Sequence, residues 1–203
     1  MKARIAVFVS GGGTNLQALI DAASRGELPS GELALVLSSS EKAYALTRAA
    51  DAGIPTAVVR SRESEHEKKI LETLEAHRID MIVLAGYMSI LSADFTARFP
   101  NRILNVHPSL IPSFCGQGYY GLRVHEEALK RGVKVTGATV HFVNEIPDGG
   151  EILLQKAVQV LPGDTPQTLQ RRVMEQAEWK LLPRAAELVS KQLLEEHTHV
   201  ENV

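Results

Sequence analysis

The chain of 203 residues is long enough for one domain with a sizeable buried core, and its 44% hydrophobic and 23% charged content is ordinary for a soluble globular protein. A net charge of −2 excludes the global basic field that recruits nucleic acid or acidic membranes. The single cysteine excludes a disulfide framework and a cysteine-built metal site within one chain, and it fits a reducing compartment.

The opening "MKARIAVFVSGGG" has a basic start and an apolar run, but the run breaks into glycines too early for a signal-peptide core or a membrane span. "RIAVFV" (4–9) reads as a buried strand. "TNLQALIDAASRG" follows as a helix, with Leu16, Leu19, Ile20 and Ala23 at helical spacing and Gly26 as its stop. Strands are expected at "LALVLS" (33–38), "TAVV" (56–59), "DMIVLAG" (80–86) and "RILNV" (102–106). Between them lie the helix "EKAYALTRAADAG", ending at Gly53, and the charged "SRESEHEKKILETLEAHR", with Ile70, Leu71 and Leu74 inward. Such alternation of apolar strands and helices implies an α/β fold, a mostly parallel, doubly wound sheet covered on both faces.

After His107 the rhythm changes. A long loop leads to the short helix "HEEALKRG", then to two strands, "KVTGATVHFVN" (134–144) and "ILLQKAVQV" (152–160). The turn-rich "EIPDGG" joins them, which predicts an antiparallel pair at one end of the sheet. A long C-terminal helix begins at Thr165 as N-cap with Pro166 at its first position. Pro183 is expected to kink or split that helix, and the polar tail 195–203 to fray. The pattern reads as one domain, and no stretch is long and apolar enough to cross a bilayer.

Two places carry chemistry. "SGGGTN" (10–15) lies between a strand and a helix, where backbone N–H groups and the helix N-terminus favour a phosphate. It lacks the GxxxxGK[ST] of a P-loop, and Leu16 replaces the third glycine of a dinucleotide fingerprint. A single phosphate fits it better than a dinucleotide; a tight turn with no ligand is the alternative. The second place is "NVHPSLIP", where Asn105 and His107 lie two apart at a strand end and so share one side. Pro108 and Pro112 stiffen the exit.

"NVHPSLIPSF", "GATVHFV" and "DGGEIL", with "SGGGTNLQALID" and "VLAGYMSIL", resemble the folate-dependent phosphoribosylglycinamide formyltransferases, from Arg4 to about Val189. The His-Pro-Ser-Leu-x-Pro motif is shared with a wider formyltransferase-fold group that includes methionyl-tRNA formyltransferase and formyltetrahydrofolate deformylase. The glycine loop, the short length and the lack of an added domain favour the purine enzymes within it. The resemblance implies transfer of a formyl group from 10-formyltetrahydrofolate to the amine of glycinamide ribonucleotide, with no metal, no nucleic acid and no membrane. It implies a phosphate-binding half over 1–100, a catalytic and folate-binding half over 101–190, and a cytoplasmic setting. It leaves monomer and homodimer open.

The same resemblance assigns residues. Asn105 and His107 would stabilise the tetrahedral intermediate, and Asp148 would assist proton transfer and raise the pKa of His107. Gly13, Thr14 and Asn15 would hold the ribonucleotide's phosphate, and Glu178 its ribose, with Glu175 to Ala177 beside it. Spacing before Glu178 is one residue longer than the family's usual form, and Trp179 stands where a His is common. The folate would lie against Met88, Ser89, Ile90 and Leu91 on one wall and Asn144, Glu145, Ile146, Pro147 and Asp148 on the other, with Asn105 between and Arg62 reaching in. His141 would line the cleft or satisfy a core hydrogen bond. Further departures are Ser89 for a frequent Arg, Arg123 for a His and Glu151 for a Pro. Cys115, reactive at first sight, falls in a variable flanking loop. Two other readings are a fold relative acting on a sugar nucleotide or as a hydrolase, and a silent nucleotide- or folate-binding protein.

Overall fold

Strand β1 (Ala3–Val9) is apolar on both sides, so it has to be covered on both, and its neighbours do this. In the computed structural model, which describes residues 2–60 and 65–201, it sits near the middle of a seven-stranded sheet. The other strands are β2 (Gly31–Ser38), β3 (Thr56–Val58), β4 (Met81–Leu84), β5 (Ile103–His107), β6 (Val135–Phe142) and β7 (Ile152–Gln159). Their spatial order is β3-β2-β1-β4-β5-β6-β7. The strands β1 to β5 pair in parallel, whereas β6 is antiparallel to β5 and β7 to β6. The expected antiparallel pair is thus present at one end, and the reversal begins one strand earlier, at β5.

Helices α1 (Thr14–Ser24), α2 (Ala45–Asp51) and α6 (Pro166–Val173) pack on one face with α7 (Trp179–Glu201), and α3 (His66–Ala76) and α4 (Ala93–Thr96) on the other. Period-two alternation divides β1 between them: Ile5, Val7 and Val9 join the first core, Ala6 and Phe8 the second. Helix α1 buries Leu16, Ala18, Leu19 and Ala22; Ala23, expected inward, is exposed, one position off the buried stripe. In α3 the inward residues are Ile70 and Leu74, with Leu71 packed partly against them. Helix α4 was not anticipated; its single turn is capped by Ser92, whose hydroxyl accepts the N–H of Phe95 at 3.1 Å. Helix α5 (Leu122–Arg131) starts three residues earlier than expected and packs on α6.

The C-terminal helical run departs from expectation in one respect. Thr165 caps α6 through a reciprocal pair with Thr168, and Pro166 opens the helix as anticipated. The break in geometry is not at Pro183, which lies inside α7, but one turn earlier, where Met174–Glu178 form a π-helical turn. A π turn takes up one residue more than an α turn. Helical structure continues into the polar tail as far as Glu201. Among the described residues no helix is long and apolar enough to cross a membrane.

Candidate active site

Ligands of open α/β sheets bind beyond the carboxyl ends of the strands, where strand order reverses. Here the reversal is between β1 and β4, and the loops after β1, β4 and β5 open into a cleft of about 880 Å³. A smaller cavity of about 130 Å³ adjoins it. Tyr87, Ser89, Ile90, Asn105, Pro147 and Asp148 line both, so Asn105 and Asp148 stand at the wall the two share.

Asn105 and His107 project from the same side of β5, as their spacing predicts. Antiparallel pairing places His141 of β6 directly opposite Asn105 and Thr139 opposite His107. His141 Nδ1–H donates to the carbonyl of Phe142 at 2.7 Å, leaving Nε2 to accept the Asn105 amide at 3.1 Å. His141 thus both lines the smaller cavity and orients Asn105. Thr139 pins the exit of β5: its hydroxyl donates to Ser109 O at 2.7 Å and accepts the N–H of Ile111 at 3.1 Å.

Asp148 reaches this centre from the connection between β6 and β7. Its φ of 57° is left-handed, a conformation aspartate tolerates better than most residues. Gly150, two residues on, passes so close to β6 that a Cβ there would lie 1.8 Å from Phe142 O. That close approach explains the second glycine of "DGG" and aims Asp148 inward. Asp148 Oδ2 accepts Gly116 N–H at 2.8 Å and lies 3.4 Å from His107 Nδ1. Oδ1 lies 3.5 Å from both Asn105 Nδ2 and His141 Nε2.

Burial acts to raise the Asp148 pKa, but His141, His107 and the Gly116 N–H together pull it below the usual carboxylate value. At His107 the carboxylate acts in the expected direction, but burial outweighs it. Burial lowers its pKa, and the Asp148 carboxylate and the Phe114 carbonyl recover only part, so the ring sits below the ordinary histidine value. Its Nε2–H donates to Phe114 O at 2.8 Å.

Across the cleft, Thr14 and Asn15 begin α1 and line the wall. Gly13 does not line it; its φ of 73° turns the chain against α2, where a Cβ would meet that of Ala45 at 2.6 Å. Arg48 holds the loop from behind by donating to Gly12 O at 2.9 Å. Glu178 faces Asn15, whose amide donates to it at 2.9 Å, and burial pushes its carboxyl up to about 7. It lies in the π turn and lines the cleft. Glu175 turns away to pair with Arg171, and Ala177 belongs to the core.

Ser89, Ile90 and Leu91 line the smaller cavity together with Asn144, Glu145, Ile146, Pro147 and Asp148; Met88 lines the larger cleft. Arg62 lies outside the described residues. Ile90, 77% exposed, and Ile146, 58% exposed, offer apolar flanks at the mouth that suit a flat heteroaromatic body. Ser10 joins this wall to the glycine loop, its hydroxyl accepting Met88 N–H at 2.9 Å. Among the departures from the family pattern, Arg123 lies over the Tyr119 ring at 5.9 Å, Glu151 O accepts the Phe142 N–H, and Trp179 lines a separate groove beside Arg25. Cys115 donates to Pro112 O at 3.3 Å, and burial raises its pKa, which weakens it as a nucleophile. Sequence reasoning missed Tyr87, Gln170 and Met174 in the wall; the last two precede Glu178 at intervals of four along one helical run, a periodicity that could have found them. Among the described residues, no three His, Cys, Asp or Glu are grouped to hold a metal.

Comparison with known proteins agrees with this geometry. The formyl transferase family model matches residues 3–186. A phosphoribosylglycinamide formyltransferase of Haemophilus influenzae is 44% identical over 184 residues, spanning 89% of this chain and 84% of that protein. The human trifunctional purine biosynthetic protein adenosine-3 is 46% identical over 193 residues, and the chain spans only 18% of its length. The crystal structure of phosphoribosylglycinamide formyltransferase from Brucella melitensis superposes with a TM-score of 0.85 at 43% identity, covering 94% of this chain and 96% of that one. A formyltetrahydrofolate deformylase from Burkholderia mallei shares the fold at a TM-score of 0.82 and 27% identity, covering 95% of this chain and 66% of its own. With a family match that runs from β1 into α7 and takes in both walls of the cleft, the chain belongs to the formyl transferase family, whose formyl donor is folate-derived.

Proposed function

We propose that this chain transfers the formyl group of 10-formyltetrahydrofolate to the amine of glycinamide ribonucleotide, in de novo purine biosynthesis in the cytoplasm. The observation that carries the reading is the meeting of Asn105, His107 and Asp148, through contacts of 3.5 Å or less, at the wall shared by a large cleft and a small cavity flanked by Ile90 and Ile146. A reaction that joins two substrates needs such a wall between two subsites. The relatives named for this activity support the choice of substrates.

Attack by a neutral amine on the formyl carbon puts negative charge on oxygen and positive charge on the attacking nitrogen. Asn105, held by His141, supplies an N–H for the oxygen, and His107, whose Nε2–H is held by Phe114 O, supplies a second donor from Nδ1 when that nitrogen carries the proton. The proton shed by the attacking nitrogen passes to the pair formed by His107 and ionised Asp148, and this pair returns a proton to the folate nitrogen as the C–N bond breaks. On the other wall, Thr14 and Asn15 receive the phosphate, and Asn15 and Glu178 the ribose. Arg62 is proposed to reach the folate. The test is release of tetrahydrofolate with and without glycinamide ribonucleotide. Release only with the ribonucleotide supports the reading. Release without it makes the chain a hydrolase, and binding of both with no turnover makes it a silent binding protein.

A further inference from the structure

Three buried histidines surround the site, and they differ in one respect. His107, 4% exposed, and His141, 2% exposed, have both ring nitrogens engaged. His125, in the first turn of α5 and 0% exposed, lines the larger cleft with neither nitrogen partnered. A neutral imidazole carries one N–H donor and one lone pair, and leaving both unmet in the interior costs the full desolvation of each. Native structures seldom keep such groups without a use for them. Among the described residues six buried side-chain atoms lack a partner, and four of these, the two nitrogens of His125, Oδ1 of Asn15 and the hydroxyl of Tyr87, belong to residues that line this one cleft.

We propose that His125 is a further ribonucleotide-binding residue, whose neutral imidazole hydrogen-bonds a hydroxyl or amide group of the bound ribonucleotide. The proposal deepens the reading of the activity given above and rests on it. A hydroxyl or amide both donates and accepts, which matches one N–H and one lone pair. A phosphate only accepts and favours a cation. His125 is a poor cation, since burial and then the charge of nearby His107 bring its pKa down to about 4. Packing of α5 on α6 places the ring on the same side of the cleft as Gln170 and Met174, next to the π turn that carries Glu178.

His125→Phe keeps a ring of similar bulk and removes both nitrogens; His125→Asn keeps a donor and an acceptor. The KM for glycinamide ribonucleotide should rise about tenfold in the Phe variant, with the KM for 10-formyltetrahydrofolate unchanged and kcat within about threefold. Its Tm should hold or rise, because unmet polar atoms leave a buried site. The Asn variant should recover part of the KM. A ribonucleotide KM within about twofold of wild type in the Phe variant overturns the proposal. Where the Phe variant does not fold, the Asn variant decides: an unchanged ribonucleotide KM with a lowered Tm makes His125 a core residue only. A wild-type protein that fails to turn over the two substrates removes the activity itself, and the ligand named here with it; normal wild-type turnover with unaffected variants removes only the role of His125.

Discussion

On the β5–β6 wall of the cleft, Asn105, His107, His141 and Asp148 bond to one another and to the backbone. On the wall built by α1, α5 and the π turn, Asn15 keeps Oδ1 unpartnered and His125 both ring nitrogens. The first arrangement rests on neighbouring strands and a tight glycine turn, so its dipoles are oriented before any substrate arrives, which is how charge development is stabilised with little reorganisation. The second rests on helix starts and leaves hydrogen-bonding capacity for a ligand to complete. On the proposed activity the contrast divides the cleft into a reacting wall and a binding wall. It implies that changes on the first should lower kcat, and changes on the second should raise KM.

The strongest test is His107→Ala, which should lower kcat by about 10²–10⁴ with a modest change in either KM. Near-normal turnover would remove the reacting wall's central residue. Asp148→Asn should cost less, about 10²-fold in kcat, and should also move a pH limb. The sign follows from the charges. Burial holds the His107 pKa down and the Asp148 carboxylate opposes it, so neutralising Asp148 should shift the His107 limb to lower pH. An unmoved limb would show that Asp148 does not tune His107.

Glu178→Gln probes the binding wall and should raise the ribonucleotide KM about tenfold with little change in kcat. It also has a stability signature. Burial raises this carboxyl from 4.5 in the unfolded chain to about 7, so its contribution to stability is fully present below 4.5 and is lost as pH rises through about 7. Over that window Tm should fall more in the wild type than in Glu178→Gln; parallel curves would place the proton elsewhere. The smallest effect is expected for Cys115→Ala, with kcat within about a factor of two, since its thiol makes one weak bond and touches neither wall. Loss of activity there would reopen a thiol mechanism.

How much of the site was legible varies with the range of the forces involved. Asn105 and His107 were readable as a pair because a strand repeats every two residues. Thr165 and Pro166 were readable as a helix start because a cap is a local bond. The direction in which Asp148 acts on His107 was readable, but the net shift was not, because depth outweighs it and depth is set by the elements that cover β5. That Glu178 would lie in a π turn was not readable, since the width of a helical turn depends on how α6 and α7 pack on the sheet.

By itself the sequence determined the alternation of strands and helices, an antiparallel pair at one end of the sheet, the glycine loop and the placing of Asn105 and His107 on one side of a strand. These follow from local periodicity, turn chemistry and caps, which act over a few residues. Only the tertiary structure decided that Asp148 meets His107 across 41 positions in the chain, because β6 runs back along β5 and Gly150 lets the turn close on it. It alone decided which polar atoms are satisfied and which are left open, because burial and hydrogen bonding are shared among segments that no short stretch of sequence contains.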